Sequence, residues 1–79
     1  MNMVVAVRGF GPLEDVIPEA ELELNLPQHT GAIREALQQR WPALSSQQFA
    51  IAVDQRIRGE AELVHSAREI ALLPPFAGG

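Results

Sequence analysis

The chain has 79 residues, enough for one domain, and carries ten acidic against six basic residues for a net charge of −4. A hydrophobic content of 47% indicates a globular protein, and the excess of acidic residues argues against a general grip on nucleic acid. The sequence has no cysteine, which excludes disulfides, thiolate metal sites and a cysteine nucleophile. No segment has the pattern of a membrane span or a signal peptide, so we expect a cytoplasmic protein that does not insert into a membrane.

The N-terminal part predicts two strands of different kinds. Residues 3 to 7 form a continuous, valine-rich apolar run, which is typical of a strand covered on both faces. Residues 8 to 18 contain two glycines and two prolines and predict a long connection. In residues 19 to 26, leucine alternates with polar residues, which predicts a strand with one buried and one solvent-exposed face.

One helix is predicted over residues 30 to 41. Thr30 is expected to be its N-cap, because a threonine hydroxyl can accept a hydrogen bond from an amide of the first turn. Ile33, Leu37 and Trp41 recur at four-residue spacing and form an apolar stripe that should face the core. Pro42 ends the helix. A polar connection follows over residues 43 to 48.

The C-terminal part predicts further strands. Residues 49 to 53 indicate a third strand, Asp54 and Gln55 a turn, and Ile57 a short returning strand. Leu63 and Val64 are expected to contact the core again. A final apolar strand over residues 69 to 73 ends at a pair of prolines, because proline cannot donate a hydrogen bond to a neighbouring strand.

These elements predict an α+β fold in which a small mixed sheet packs on one main helix. The first and last strands are apolar throughout and should lie in the centre, with the alternating strands nearer the edges. The helical connection allows one parallel pair of neighbouring strands.

The end of the chain is its most informative feature. It reads Leu73-Pro74-Pro75-Phe76-Ala77-Gly78-Gly79. The prolines restrict the backbone to extended forms, and the two glycines lack a Cβ, so this end could enter a narrow channel. It would deliver one reactive group, the terminal carboxylate, with an apolar anchor at Phe76 beside it. A disordered end that merely contains glycine remains the alternative at this point.

The other polar residues indicate no catalytic centre. His29 and His65 are isolated, and a zinc site needs several ligands at defined spacing, so no metal is expected. Alternation places Glu21 and Glu23 on the solvent-exposed face of their strand. A pair of carboxylates that works as acid and base needs burial to separate their two pKa values, so these residues are not expected to form one. Trp41 belongs to the core stripe, whereas Phe10 could face a partner or fold under its loop.

The residues from Ile70 to Gly79 closely resemble the end of the small subunit of molybdopterin synthase, the MoaD type of ubiquitin-like sulfur carrier. That family ends in a branched aliphatic residue, alanine, two hydrophobic residues, Pro-Pro, two variable residues and Gly-Gly. Residues 52 to 55 resemble its alanine-valine-asparagine turn, so the similarity extends over residues 50 to 79. The resemblance implies a ubiquitin-like β-grasp domain over residues 1 to 75 and an extended reactive tail over residues 76 to 79.

The chain departs from the family pattern in three places. Asp54 replaces the usual asparagine. Residues 65 to 69 replace the usual Asp-Gly-Asp-Glu lead into the last strand, and the loss of that glycine leaves the geometry of the turn open. The loop of residues 8 to 18 also lacks the family's usual aromatic-alanine and Arg-Glu pattern.

The resemblance implies that the chain is a non-catalytic co-substrate. An adenylyltransferase related to ubiquitin activators, the MoeB type, would use ATP to convert Gly79 to an acyl-adenylate, with Gly78 beside it in the channel. A persulfide donor would then leave a thiocarboxylate on Gly79. The large subunit of molybdopterin synthase, the MoaE type, would accept the tail through Leu73, Pro74, Pro75, Phe76 and Ala77. No cofactor or metal is bound by the chain itself in this scheme.

Two other functions stay open from the sequence. The same sulfur chemistry could serve thiamine synthesis or amino-acid sulfur delivery. Alternatively, the chain could be a β-grasp interaction module or a protein modifier whose tail never carries sulfur. In each case, a partner surface is expected at the apolar positions beside the last strand and at Phe76, with a basic counterpart on the partner.

Overall fold

A five-stranded mixed sheet carries one α-helix on one of its faces in the computed structural model, which describes residues 1 to 75. The elements are β1 (Asn2–Gly9), β2 (Ala20–Asn25), β3 (Gln28–His29), α1 (Thr30–Arg40), β4 (Ala50–Val53), β5 (Arg56–Ile57), β6 (Leu63–Val64) and β7 (Glu69–Leu73). The strand order is β2-β1-β7-β4-β5, and β3 and β6 form a separate antiparallel pair. This arrangement confirms the predicted α+β class.

The first and last strands of the sheet lie side by side in its centre. They are parallel, with Val7 paired to Ile70 and Gly9 to Leu72. β2 and β4 flank them in the antiparallel sense. The predicted central position of both strands is therefore confirmed, as is the position of the alternating strand β2 at an edge.

The prediction that β1 is covered on both faces is wrong. Val5 and Val7 are buried, but Val4 is 61% exposed and Ala6 is also exposed. The single helix covers only one face of the sheet, so every second residue of β1 points to the uncovered side. We call that side the open face.

The core lies between the sheet and the helix. The expected stripe is confirmed, since Ile33 and Leu37 are fully buried and Trp41 is only 9% exposed. Leu13, Ile17 and Leu44, which lie outside the strands and α1, are fully or almost fully buried too. Short 3₁₀ turns carry Leu13 and Leu44 inwards, Gly11–Asp15 after β1 and Pro42–Ser46 after α1.

The prediction that Thr30 is the N-cap of α1 is also wrong. Thr30 is the first helical residue and is fully buried, and its backbone amide donates to the Glu62 carbonyl oxygen at 3.0 Å. The amide of Gly31 donates to the Glu60 carbonyl oxygen at 3.0 Å. The orphan amides of the first turn therefore find partners in the distant loop before β6, so no side-chain cap is needed.

No helix within residues 1 to 75 is long and apolar enough to cross a membrane.

The turn between β4 and β5 has the predicted location. Asp54 and Gln55 occupy its two central positions with φ angles of 50° and 72°. Two consecutive positive φ angles are the geometry of the tight hairpin turn that matches the twist of its strands, and aspartate is one of the few residues with a side chain that tolerates it well. The short return at Ile57 is β5.

Candidate functional site

The C-terminal tail begins at the end of the central strand β7. Leu73 is the last residue of β7 and pairs with Ala50 of β4, Pro74 is half-buried, and Pro75 is exposed. The remaining predicted site residues, Phe76, Ala77, Gly78 and Gly79, lie outside the described residues. The structure thus places the start of the C-terminal segment at the end of the sheet's central strand, where two prolines restrict the backbone.

Residues 9 to 11, at the end of β1, lie beside this start. The backbone amide of Phe10 donates to the Leu72 carbonyl oxygen at 3.0 Å. Gly11 has a φ of +59°, and a Cβ placed on it would lie 3.4 Å from Cγ of Pro74. Gly9 faces the other way, since a Cβ on it would lie 2.6 Å from the carbonyl oxygen of Leu13, where no atom fits. The sequence did not predict that this turn lies beside the end of β7.

A shallow groove of about 470 Å³ lies on the open face beside the tail. Phe10 and Ile57 supply its exposed apolar surface, 38% and 57% exposed respectively, and Leu73 links it to the tail. The groove is lined by Arg8, Phe10, Ala52, Gln55, Ile57, Glu69, Ala71 and Leu73. It occupies the position that the sequence analysis expects for a partner surface, next to the last strand.

Arg8 borders this groove and holds the Phe10 ring in place. Its guanidinium lies 5.0 Å from the centre of that ring, and it forms ion pairs with Glu69 at 3.7 Å and Glu19 at 3.9 Å. These pairs are solvent-exposed and contribute little to folding stability. They do orient Arg8, so that its flat guanidinium covers one side of the Phe10 ring. Phe10 therefore does not fold under its loop; its ring lies at the surface and is 38% exposed.

An acidic strip lies beyond Arg8 on the same face. Glu21 and Glu23 of β2 pair with Ala6 and Val4 of β1, which places them on the open face, and both are exposed as predicted. Glu19 precedes them and is also exposed. The open face therefore combines an apolar groove near the tail with a negatively charged strip along one edge.

The two histidines are both exposed and lie apart from this face. Within residues 1 to 75, no group of three or more His, Asp or Glu side chains is close enough together to hold a metal ion. The described part of the candidate site consists of a strand end, two prolines, a turn and an apolar groove.

Comparison with known proteins identifies the family. The model of the ThiS family matches residues 7 to 79, which is nearly the whole chain and includes the terminal Gly-Gly. The chain belongs to the ThiS family.

Solved structures agree with this membership. The ThiS-family chain superimposes on a candidate molybdopterin converting factor, subunit 1, from Pyrococcus furiosus with a TM-score of 0.77 and 19% identity, covering 92% of this chain and 98% of that one. It matches the complex of subunits 1 and 2 of molybdopterin-converting factor from Helicobacter pylori with a TM-score of 0.59 and 29% identity, covering 98% and 100%. Caldiarchaeum subterraneum ubiquitin gives a TM-score of 0.64 at 17% identity, with both chains fully covered. The predicted ubiquitin-like β-grasp fold and the MoaD-type resemblance are confirmed, so the chain is a ubiquitin-like protein of the ThiS/MoaD sulfur-carrier family.

Proposed function

We propose that this chain carries sulfur as a thiocarboxylate on Gly79 and donates it within molybdopterin synthase. The observation that carries the proposal is the family match, which runs through Pro74-Pro75 to Gly78-Gly79. The last described residues, Leu73 to Pro75, follow the central strand of a folded sheet, and Leu73 lines an apolar groove, which supports presentation of the chain end to a partner.

The chemistry follows from the terminal group. A carboxylate is a poor electrophile, so an adenylyltransferase of the MoeB type joins it to AMP from ATP and releases pyrophosphate. The terminal sulfur of a persulfide then attacks the acyl carbon and displaces AMP. A thiol cleaves the resulting sulfur–sulfur bond, which leaves the thiocarboxylate on Gly79 and a disulfide on the donor. Because the chain has no cysteine, it holds no thiol of its own that could intercept the acyl group.

The proposed recipient is a large subunit of the MoaE type. The Helicobacter pylori structure that resembles this chain at 29% identity is a complex of subunits 1 and 2 of molybdopterin-converting factor, which supports an assembly of this kind. In the complex proposed here, the groove with Phe10 and Ile57 packs on the large subunit while Pro74 to Gly79 enter its active site. The large subunit supplies the catalytic groups, and this chain acts as the co-substrate that brings sulfur to the pterin precursor.

Intact mass spectrometry tests the first half of the proposal. The full chain is incubated with a MoeB-type adenylyltransferase, ATP and a persulfide donor, and its mass is then measured before and after a thiol-selective alkylating reagent. A gain corresponding to the exchange of oxygen for sulfur, followed by one alkyl adduct, is the expected result, since no cysteine can react. A variant lacking Gly79 should stay unmodified while its thermal unfolding midpoint is unchanged. An unmodified wild-type chain, with an enzyme active on another carrier, would favour the interaction module instead.

The second half needs the recipient. Purified thiocarboxylated chain is mixed with the MoaE-type subunit and the sulfur-free pterin precursor, and loss of the thiocarboxylate is followed by mass. Consumption with formation of the dithiolene product supports molybdopterin synthesis. A thiocarboxylate that forms readily but survives this mixture assigns the carrier to another sulfur pathway.

A further inference from the structure

We infer that residues 9 to 11 form a positioning element that fixes the direction in which the C-terminal tail leaves the sheet. We call them the exit turn. The inference about direction stands on the contacts of Gly9, Phe10 and Gly11. Its consequence for sulfur loading rests on the proposed function.

The exit turn first holds the end of β7. The parallel pairing of β1 and β7 ends at Gly9 opposite Leu72. The amide of Phe10 then donates to the carbonyl oxygen of Leu72 at 3.0 Å, one residue past the end of β1. This hydrogen bond holds the peptide between Leu72 and Leu73 on the side of β1. On the other side, the pairing of β7 with β4 ends at Ala50 opposite Leu73.

Gly11 then lies beside Pro74. A Cβ built on it would be in van der Waals contact with the ring, 3.4 Å from Pro74 Cγ and 3.9 Å from Pro74 Cδ. Its φ of +59° is a conformation that glycine adopts freely and that residues with side chains rarely adopt. The pyrrolidine ring fixes φ of Pro74, so the neighbouring exit turn and the ring together limit the backbone directions open at Pro74.

The exit turn is anchored to the hydrophobic core. The exit turn leads into the 3₁₀ turn Gly11–Asp15, whose Leu13 is 1% exposed and whose next turn brings Ile17 into the core as well. The Leu13 amide donates to the Phe10 carbonyl oxygen at 3.1 Å. Gly9 allows the Leu13 carbonyl to approach so closely that any side chain there would collide with it. The exit turn therefore cannot move without disturbing buried contacts.

Direction matters because the reactive atom lies far from the turn. Four residues follow Pro75, and they span at most about 13 Å when extended at ~3.3 Å per residue. For a tail held extended in a narrow channel, a rotation of about 10° at Pro74 moves its end by about 2 Å, and misplacement by 1 Å can lower a reaction rate by about 100-fold. The exit turn thus acts on the placement of the Gly79 carboxylate, whereas docking of the folded domain depends on the groove.

Distances measured by pulsed electron paramagnetic resonance test the inference directly. Because the chain has no cysteine, Gln39→Cys on the exposed side of α1 and Ala77→Cys on the tail provide two unique spin-label positions. Gly11→Ala strains the exit turn, because a φ of +59° disfavours a side chain, and it brings a methyl group into van der Waals contact with the Pro74 ring. Pro74→Ala removes that ring. Both should broaden or shift the distance distribution relative to the otherwise unchanged labelled chain. Gly59→Ala is the matched control, because no atom lies within 4 Å of a Cβ built there, and it should leave the distribution unchanged.

Steady-state kinetics with the adenylyltransferase separate placement from folding and docking. For Gly11→Ala, we expect kcat for thiocarboxylate formation to fall by about tenfold with KM changed little. The thermal midpoint should fall by about 5 °C, because alanine is strained at a φ of +59°, so kcat is measured well below that midpoint. If Gly11→Ala acts through Pro74, it should lower kcat by less than about twofold further in a Pro74→Ala chain. Equal losses in the two backgrounds would show that Gly11 acts elsewhere.

The outcomes distinguish the two proposals. Identical distance distributions for the wild-type, Gly11→Ala and Pro74→Ala chains overturn the positioning role, whatever the chemistry. A changed distribution in a chain that no adenylyltransferase modifies retains the positioning role and rejects sulfur carriage. If the chain is modified and Gly11→Ala changes the distance distribution but not kcat, the exit turn affects only the conformation of the free protein. That result overturns its role in sulfur loading.

Discussion

Asp54 and Glu69 hold each other through two reciprocal hydrogen bonds. The amide of Asp54 donates to the Glu69 carbonyl oxygen at 2.9 Å, and the amide of Glu69 donates to Oδ1 of Asp54 at 3.0 Å. The amide of Arg68 donates to the same Oδ1 at 2.9 Å. One side chain on the β4–β5 turn therefore fixes the point at which β7 begins.

The segment that leads into the last strand lacks the glycine of the family pattern to which the chain end was compared, and these hydrogen bonds hold it in place. Asp54 and Gln55 are the residues other than glycine with positive φ angles among those that the structure describes, and both lie in the β4–β5 turn. The segment of residues 65 to 69 thus needs no left-handed residue. Its final amides are satisfied by the Asp54 carboxylate.

Removing the Asp54 carboxylate should destabilise the fold. Asp54→Ala leaves two amides without their acceptor and puts alanine at a φ of 50°, so we expect the free energy of unfolding to fall by about 1 to 2 kcal/mol. Asp54→Asn retains a side-chain oxygen and tolerates positive φ, and should lose less than half of that. Urea denaturation measures both. Equal losses for the two variants would show that Oδ1 is not what matters.

Arg34, which is half-buried, should be the most stabilising charged residue on α1. Its Nε donates to Glu60 Oε1 at 2.8 Å, its Nη1 donates to the Phe49 carbonyl oxygen at 2.7 Å, and its guanidinium lies 4.5 Å from the centre of the Phe49 ring. Charged hydrogen bonds of this kind contribute more than neutral ones, so Arg34→Ala should cost about 1 to 2 kcal/mol of unfolding free energy.

Arg40 provides the matched control for Arg34. It lies on the same helix with its guanidinium 4.8 Å from the centre of the Trp41 ring, but no ion pair or side-chain hydrogen bond is recorded for it within residues 1 to 75. Arg40→Ala should therefore cost only about 0.5 kcal/mol in the same denaturation experiment. If the two variants lose equal stability, stacking on the aromatic ring explains the effect and the hydrogen bonds of Arg34 do not.

A substitution in the apolar groove should weaken binding to the partner without lowering the free energy of unfolding. Ile57 is 57% exposed, so Ile57→Ser should change the free energy of unfolding by less than about 0.5 kcal/mol. If the groove docks on the large subunit, the same change should weaken the complex by about tenfold in calorimetric titration. Leu63 is 41% exposed on β6, away from the groove, and Leu63→Ser should leave affinity intact. Equal weakening by both variants would place the interface elsewhere.

The acidic strip predicts that association is steered by charge. Glu21→Gln should slow association with the large subunit by about twofold at low salt and change dissociation little, because exposed charges act mainly on encounter. Glu35→Gln removes one exposed charge from the helix instead and should have a smaller effect. Stopped-flow measurements over a range of ionic strength provide the check. An association rate that does not respond to salt contradicts steering by this strip.

Sequence patterns were sufficient for the parts of the fold that depend on local chemistry. Alternation located β2, four-residue spacing located the core stripe of α1, and the proline pair located the end of β7. The central position of β1 and β7 followed from their apolar composition. The motif at the chain end led to the correct family because it is specific in both residue type and spacing.

The errors concern contacts made by distant segments. A run of valines and alanines contains no polar residue to mark an exposed face, so the pattern in β1 could not show that Val4 and Ala6 face solvent. Thr30 has the chemistry of an N-cap, but the first amides of the helix donate to the carbonyl oxygens of residues 60 and 62 instead. Gly11 and Pro74 lie next to each other although they are far apart in sequence, and no local pattern around either residue predicts that proximity.

The central position of β7 also bears on how the domain survives in a cell. β7 follows the other strands in sequence, yet both β1 and β4 require it as their shared neighbour. A nascent or truncated chain that stops before residue 69 has a sheet split into two parts and cannot close its core. Such fragments expose apolar surface and are substrates for cellular proteases. Proteolysis therefore removes chains that stop short of the strand that leads into Pro74 and Pro75.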